Sequence, residues 1–173
     1  AYPEVIRKLY PNRVFNHCFE WCAGPGFIGY ALYVDGLCRE LSLGDIYLPS
    51  LKCAEYTRSQ LPDHYNKDPI HTIHFSDCAD LDSQTKFDLI VANPPHWNWQ
   101  SQPTFASLIL NHRINSDPDW TVHKNFFSNI KKNLAEDGII LLQEQSWASG
   151  PSVFESMINE AGLKIQNCYY DSN

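Results

Sequence analysis

The tetrapeptide Asn93-Pro94-Pro95-His96 follows an apolar run over Phe87–Asn93. Two prolines stiffen the exit and remove two N–H donors. The polar groups left there are acceptors: the Asn93 side-chain oxygen and the Pro94 carbonyl. A planar amine offers two N–H donors to match them, but its lone pair is delocalised and poorly nucleophilic. Gripping both N–H groups favours a pyramidal nitrogen and aims its lone pair at a methyl donor, which is catalysis by positioning and fixed dipoles. The competing reading is a rigid strand-to-loop exit without chemistry.

A second group surrounds Glu20-Trp21-Cys22-Ala23-Gly24-Pro25-Gly26-Phe27. Gly24 and Gly26 let the backbone turn sharply against a ligand, and Glu20 ends the preceding strand. Asp45 closes the next strand, where a carboxylate can accept both hydroxyls of a ribose. That pair of features serves adenosylmethionine and nicotinamide sites equally, and Asp45 could instead cap the turn at Ile46-Tyr47. Asp77, before Cys78, could accept from an adenine amino group or be a surface turn residue. Cys18, Cys22, His71, His74 and Cys78 suggest a zinc set, but the chain has no CxxC pair, so no metal is expected.

These groups need a scaffold that brings strand ends together. Strand signals at Val14–Glu20, Leu41–Asp45, Ile70–Asp77, Phe87–Asn93, Ile139–Gln143 and Leu163–Tyr170 alternate with helical ones. The helices are expected from Phe27 to about Gly36, from Ser50 to about Gln60, through Val122, Phe126, Phe127, Ile130 and Leu134 up to Gly138, and from Pro151 to Gly162. The pattern predicts one domain, residues 1–173, with an α/β, Rossmann-like, doubly wound and mostly parallel sheet. His96–Trp120 interrupts the alternation as a substrate-side insertion with one short helix over Phe105–Leu110. Trp97, Trp99 and Trp120 lie in or beside it and could wall a flat acceptor, or pack the insertion onto the domain.

Composition narrows the partners. The chain has 173 residues, 43% hydrophobic and 19% charged, and a net charge of −7. Its 13 Lys and Arg are scattered, which counts against a nucleic-acid partner without excluding one. The start, Ala1-Tyr2-Pro3-Glu4, lacks the basic and apolar parts of a signal peptide. No apolar run suits a membrane span. Six cysteines with no secretory signal read as free thiols of a cytoplasmic protein.

In order and spacing, Glu20, Cys22-x-Gly24-x-Gly26, Asp45, Asp77 and Asn93-Pro94-Pro95-His96 resemble the class I methyltransferases of the amino-methylating type. The likeness is strongest to the small methylase domain of release-factor glutamine and ribosomal RNA guanine methyltransferases. It covers nearly the whole chain, about Val14 to Tyr170. It implies S-adenosyl-L-methionine as cofactor and a protein side-chain amide or small-molecule amine as acceptor. A nucleic-acid base, with a partner or further domain, is the alternative. A non-catalytic subunit on the same fold and a nicotinamide-dependent oxidoreductase are readings of other classes.

The resemblance also implies roles. Glu20, Cys22, Ala23, Gly24, Pro25, Gly26 and Phe27 would line the methionine part of the cofactor. Asp45 would hold the ribose beside Ile46, and Asp77 and Cys78 would flank the adenine. Asn93, Pro94 and Pro95 would present the acceptor nitrogen, with His96 against its plane and no general base required. The chain departs from the family at Cys22, where a first glycine is usual, and at His96, where Tyr or Phe is usual. Family members add a seventh, antiparallel strand, yet only Asp171-Ser172-Asn173 follows the sixth-strand candidate. A six-stranded sheet with an open edge is expected, and a homodimer could pair through it.

Overall fold

The computed structural model describes residues 2–65, the backbone of 72–75, residue 78, and residues 80–98 and 116–170. Among them five strands form one sheet: β1 (Phe15–Trp21), β2 (Cys38–Asp45), β3 (Thr72–Phe75), β4 (Phe87–Ala92) and β5 (Leu134–Leu142). Every neighbouring pair is parallel, in the order β3-β2-β1-β4-β5. Apolar residues on both strand faces dictate this burial: Leu89, Ile90, Val91 and Ala92 of β4 are all fully buried.

Helices cover both faces. Helices α1 (Tyr2–Leu9), α2 (Phe27–Val34) and α3 (Leu48–Ser59) pack on one, where Ile6, Tyr30, Leu32 and Ala54 meet Leu41, Leu43, Leu89 and Val91. On the other lie α4 (Thr121–Ile130) and α5 (Pro151–Glu160), whose Phe126, Phe127, Ile130 and Phe154 meet Phe19, Trp21, Ile90 and Ala92. The expected doubly wound α/β architecture is present.

Several boundaries differ from expectation. Helix α1 has no counterpart in the strand-helix reading. β2 begins at Cys38 rather than Leu41, and α3 at Leu48 rather than near Ser50, with Pro49 in its first turn. Helix α4 stops at Ile130 and a single 3-10 turn over Lys131–Asn133 leads into β5, so Leu134 belongs to the strand. Gly138 lies inside β5 where its register on β4 shifts, and a Cβ there would meet the Phe87 carbonyl at 2.9 Å.

The expected sixth strand over Leu163–Tyr170 is not formed, and the described sheet has five strands rather than six. Leu163 instead completes the end of α5. Its N–H reaches the Ile158 carbonyl at 3.0 Å and the Gly162 N–H reaches Asn159 at 2.9 Å, with Gly162 at φ 67. This is a Schellman cap, and Leu163 packs back on the core as its apolar contact. Residues 164–170 are exposed, so nothing draws them onto the sheet. The expected Phe105–Leu110 helix lies outside the described residues.

Candidate active site

The strand order reverses direction between β1 and β4. In open parallel sheets, the crevice beyond the carboxyl ends at such a point is where ligands bind. The register places Trp21 beside both Ala92 of β4 and Gly44 of β2. The turn after β1, Asp45 and Asn93-Pro94-Pro95-His96 therefore leave the sheet as neighbours.

The β1 turn is built from left-handed residues. Cys22 has φ 53, Gly24 φ 53 and Gly26 φ 77. Cys22 thus occupies a conformation that normally selects glycine. The Ala23 N–H bonds the Gly44 carbonyl at 3.0 Å and the Gly26 N–H bonds the Ala23 carbonyl at 2.8 Å, so the turn is tied to β2 and to itself. Space above Gly24 is open: a Cβ there would meet nothing within 4 Å.

Asp45 locks this turn to the next one. Its Oδ2 accepts from the Gly24 N–H at 2.9 Å and its Oδ1 from the Tyr47 N–H at 2.8 Å. The turn-capping role is therefore real, and each oxygen retains a second acceptor direction. Ile46 beside it is half exposed, as is Tyr47, and Phe27 on the β1 turn is exposed. Open space over Gly24, spare carboxylate acceptors and an uncovered apolar flank fit a ribose with a flat base.

Glu20 faces inward rather than toward this crevice. It is buried, and its Oε2 accepts from the Gly29 N–H at 2.7 Å in the first turn of α2. That helix has no side-chain N-cap, and Glu20 takes over the task from the strand. Burial, reinforced by Asp45, outweighs the bonds from Gly29 and Ile28 and pushes the Glu20 carboxyl up to about 8. Cys78 is likewise fully buried, in the core with Phe19 and Trp21. Asp77 and Trp99 lie outside the described residues.

After β4, Pro94 and Pro95 are buried and Asn93 is exposed, so the prolines hold the loop while the amide faces outward. The Ala92 carbonyl just before them accepts two donors: the Gln143 N–H, at 2.9 Å, and the Tyr2 hydroxyl. Burial, with Glu20 and Glu144 nearby, raises the Tyr2 pKa and keeps that hydroxyl a donor.

His96 begins a buried chain of side chains that sequence reasoning missed. Its Nδ1 lies 3.1 Å from Glu144 Oε2. Glu144 Oε1 lies 3.0 Å from His123 Nε2, and His123 Nδ1 lies 2.6 Å from Asp117 Oδ2. Asp117 also accepts the Val122 and His123 N–H groups at 2.8 and 3.1 Å, capping the start of α4. Side chains of Asp117 and His123 are fully buried, and those of His96 and Glu144 are 14% and 15% exposed.

Aromatic rings enclose His123. Phe154 stacks on it at 4.4 Å, and Trp21 and Trp120 meet it edge-on at 5.5 Å. Burial alone would lower the His123 pKa, but bonds and charge from Asp117 and Glu144 raise it. Burial would raise that of Glu144, but bonds from His123 and His96 and the His123 charge lower it. The bonds of this chain therefore favour the protonated form of His123 and the ionised form of Glu144. The chain's only sequence signals were Asp117 ahead of a helix and Glu144 just past a strand.

The tryptophans divide. Trp120 packs on His123 and Phe154 and so ties α4 to α5. Trp97 stays near the strand ends, 4.4 Å from the exposed Trp147 ring. The Trp97 carbonyl accepts the Asp117 N–H at 2.7 Å, and Trp97 bridges to Ser116. The described residues contain no group of three His, Cys, Asp or Glu side chains able to hold a metal, and no helix long and apolar enough to cross a membrane.

The fold is that of the class I methyltransferases. It matches a ribosomal protein L11 methylase from Lactobacillus delbrueckii subsp. bulgaricus with a TM-score of 0.63 at 17% identity, over 92% of this chain and 66% of that one. It also matches the glycopeptide N-methyltransferase MtfA, whose structure holds S-adenosyl-L-methionine, with a TM-score of 0.56 at 14% identity, over 82% of this chain and 51% of that one. In sequence, the chain is 25% identical to a bifunctional methyltransferase of Rickettsia bellii over 97% of its own length and 30% of that protein. It thus spans under a third of the curated relatives it matches. No protein-family model matches it.

Proposed function

We propose that this chain is an S-adenosyl-L-methionine-dependent methyltransferase acting on a nitrogen acceptor. The observation that carries this reading is the adjacency of the β1 turn and the Asn93-Pro94-Pro95-His96 exit across paired β1 and β4. Bound over the turn, the cofactor supplies an electrophilic methyl group. Gly24 leaves room for it, Asp45 offers acceptors to its ribose hydroxyls, and Ile46 offers an apolar surface to its base. Asn93 and the Pro94 carbonyl accept the acceptor's N–H groups and orient its lone pair. A nicotinamide enzyme would have no use for that second element.

Binding titrations of S-adenosylmethionine, S-adenosylhomocysteine and NAD test the cofactor. Cofactor with a labelled methyl group, added to a cell extract split into protein, RNA and small-molecule fractions, tests the acceptor. Label in the protein or small-molecule fraction is expected. Binding of NAD in place of both sulfur compounds would refute the reading, and label confined to RNA would move the acceptor to a nucleobase.

A further inference from the structure

We propose that His96 is the proton acceptor of this reaction, held in place by Glu144, His123 and Asp117, and that the acceptor substrate is a basic amine rather than a carboxamide. The proposal rests on the methyltransferase reading above. Three observations carry it.

The hydrogen-bond chain points to the His96 nitrogen that bears the proton. His123 faces a carboxylate on each ring nitrogen, at 2.6 and 3.0 Å, so both nitrogens donate and the ring is cationic. Glu144, fixed by that cation, is an anion, and its other oxygen can only accept at 3.1 Å from His96 Nδ1. His96 Nδ1 is therefore the donor, and Nε2 keeps its lone pair. Orientation of a base by a carboxylate on its far nitrogen is the arrangement of a hydrolase triad.

The enclosure is costly for a purely structural tie. An imidazolium and two carboxylates sit among Trp21, Trp120 and Phe154, with Asp117 and His123 fully buried. Apolar side chains of similar volume would join α4 to the sheet without that desolvation.

The charge favours one acceptor class. The carboxylates of Asp117 and Glu144 and a cationic His123 sum to one net negative charge beside His96. A negative site stabilises a cationic ligand. A basic amine arrives as an ammonium with no lone pair to give. His96 Nε2 takes a proton from it: the N–H bond breaks, its pair stays on the amine, and an N–H bond forms on His96, whose new charge Glu144 balances. The freed pair then forms the nitrogen–carbon bond while the departing sulfur keeps the pair of its carbon bond. A carboxamide already has an unprotonated nitrogen, and its N–H proton leaves only after the nitrogen–carbon bond forms, when it is acidic enough for water to take it, so it needs no base beforehand.

Long-range proton–nitrogen NMR of the histidine-labelled chain tests the base. We expect His96 Nδ1 protonated and Nε2 bare, His123 protonated at both nitrogens, and a shift of His96 toward the Nε2–H form in Glu144→Gln. A protonated Nε2 in the neutral wild-type His96 ring overturns the proposal even if Glu144→Gln does not fold. Acid hydrolysis of the labelled product tests the substrate class: label on an amine stays with its carbon skeleton, and label on a carboxamide is released as methylammonium, volatile as methylamine once the hydrolysate is made alkaline. Volatile label, or label on RNA, overturns the proposal while methyltransferase activity stands. Failure of S-adenosylmethionine to bind removes the underlying reading, and the proposal with it.

Discussion

The Tyr2 hydroxyl donates a hydrogen bond to the carbonyl of Ala92, the last residue of β4. Helix α1 thus reaches across the sheet to the peptide that launches Asn93. Tyr2→Phe keeps the buried ring and removes only the donor, while the Gln143 N–H still satisfies Ala92. The loss should be about 0.5–1.5 kcal/mol, as for an ordinary buried hydrogen bond. Denaturant melts of the two proteins measure it.

Glu20 gives stability a distinct pH dependence. Its folded pKa of about 8 lies above its ordinary 4.5, so between those values the native state holds a proton that the unfolded chain releases. Stability from this group is complete below 4.5 and is lost as pH rises through 8. The slope is at most about 1.4 kcal/mol per pH unit. Glu20→Gln keeps an acceptor for the Gly29 N–H and cannot ionise. It should gain on the wild type steadily from pH 5 to about 8, leaving the opposed contributions of His123 and Glu144 unchanged. Parallel melts across that range that stay equally spaced would refute the assignment.

Cys22 tests the left-handed turn. At φ 53, Gly is the natural occupant and a β-branched residue the worst one. Cys22→Gly should fold with little change in midpoint, because relief of strain offsets a lost packing contact. Cys22→Val should lose about 1–2 kcal/mol. Equal stability of the two variants would contradict the backbone geometry.

Asp45 and Asn93 should separate binding from chemistry. Asp45→Ala removes the acceptors proposed for the ribose and the anchor of Gly24, and should weaken S-adenosylhomocysteine binding by about 1.5–3 kcal/mol in calorimetry. Asn93→Ala should bind it normally and lower turnover by about a hundredfold, as loss of one preorganised polar group does. Normal turnover by Asn93→Ala would remove the amine-gripping role.

Much of this was legible in the residues. Alternating apolar strands and helices revealed the sheet, and the ends of β1, β2 and β4 lie side by side as that reading requires. Local signals failed where tertiary contacts decide. Leu134 fits a helical face, but pairing with Phe87 makes it strand. Leu163 starts an apolar stretch, but its place in the α5 cap consumes it. Glu20 stands at the right strand end, yet an uncapped helix turns it inward. The His96 chain was invisible because its partners come from two distant segments, and no spacing rule links Glu144 to residues 48 and 21 positions earlier.

The bridge between Trp97 and Ser116 closes a ring in the backbone, reinforced by the Asp117 N–H on the Trp97 carbonyl. Trp97 and Ser116 are therefore held together, whatever the length or composition of the sequence between them. The entropy of closing such a loop rises only slowly with added residues. Insertions or wholesale replacement between these two points therefore leave His96 on one side and Asp117 on the other where they are.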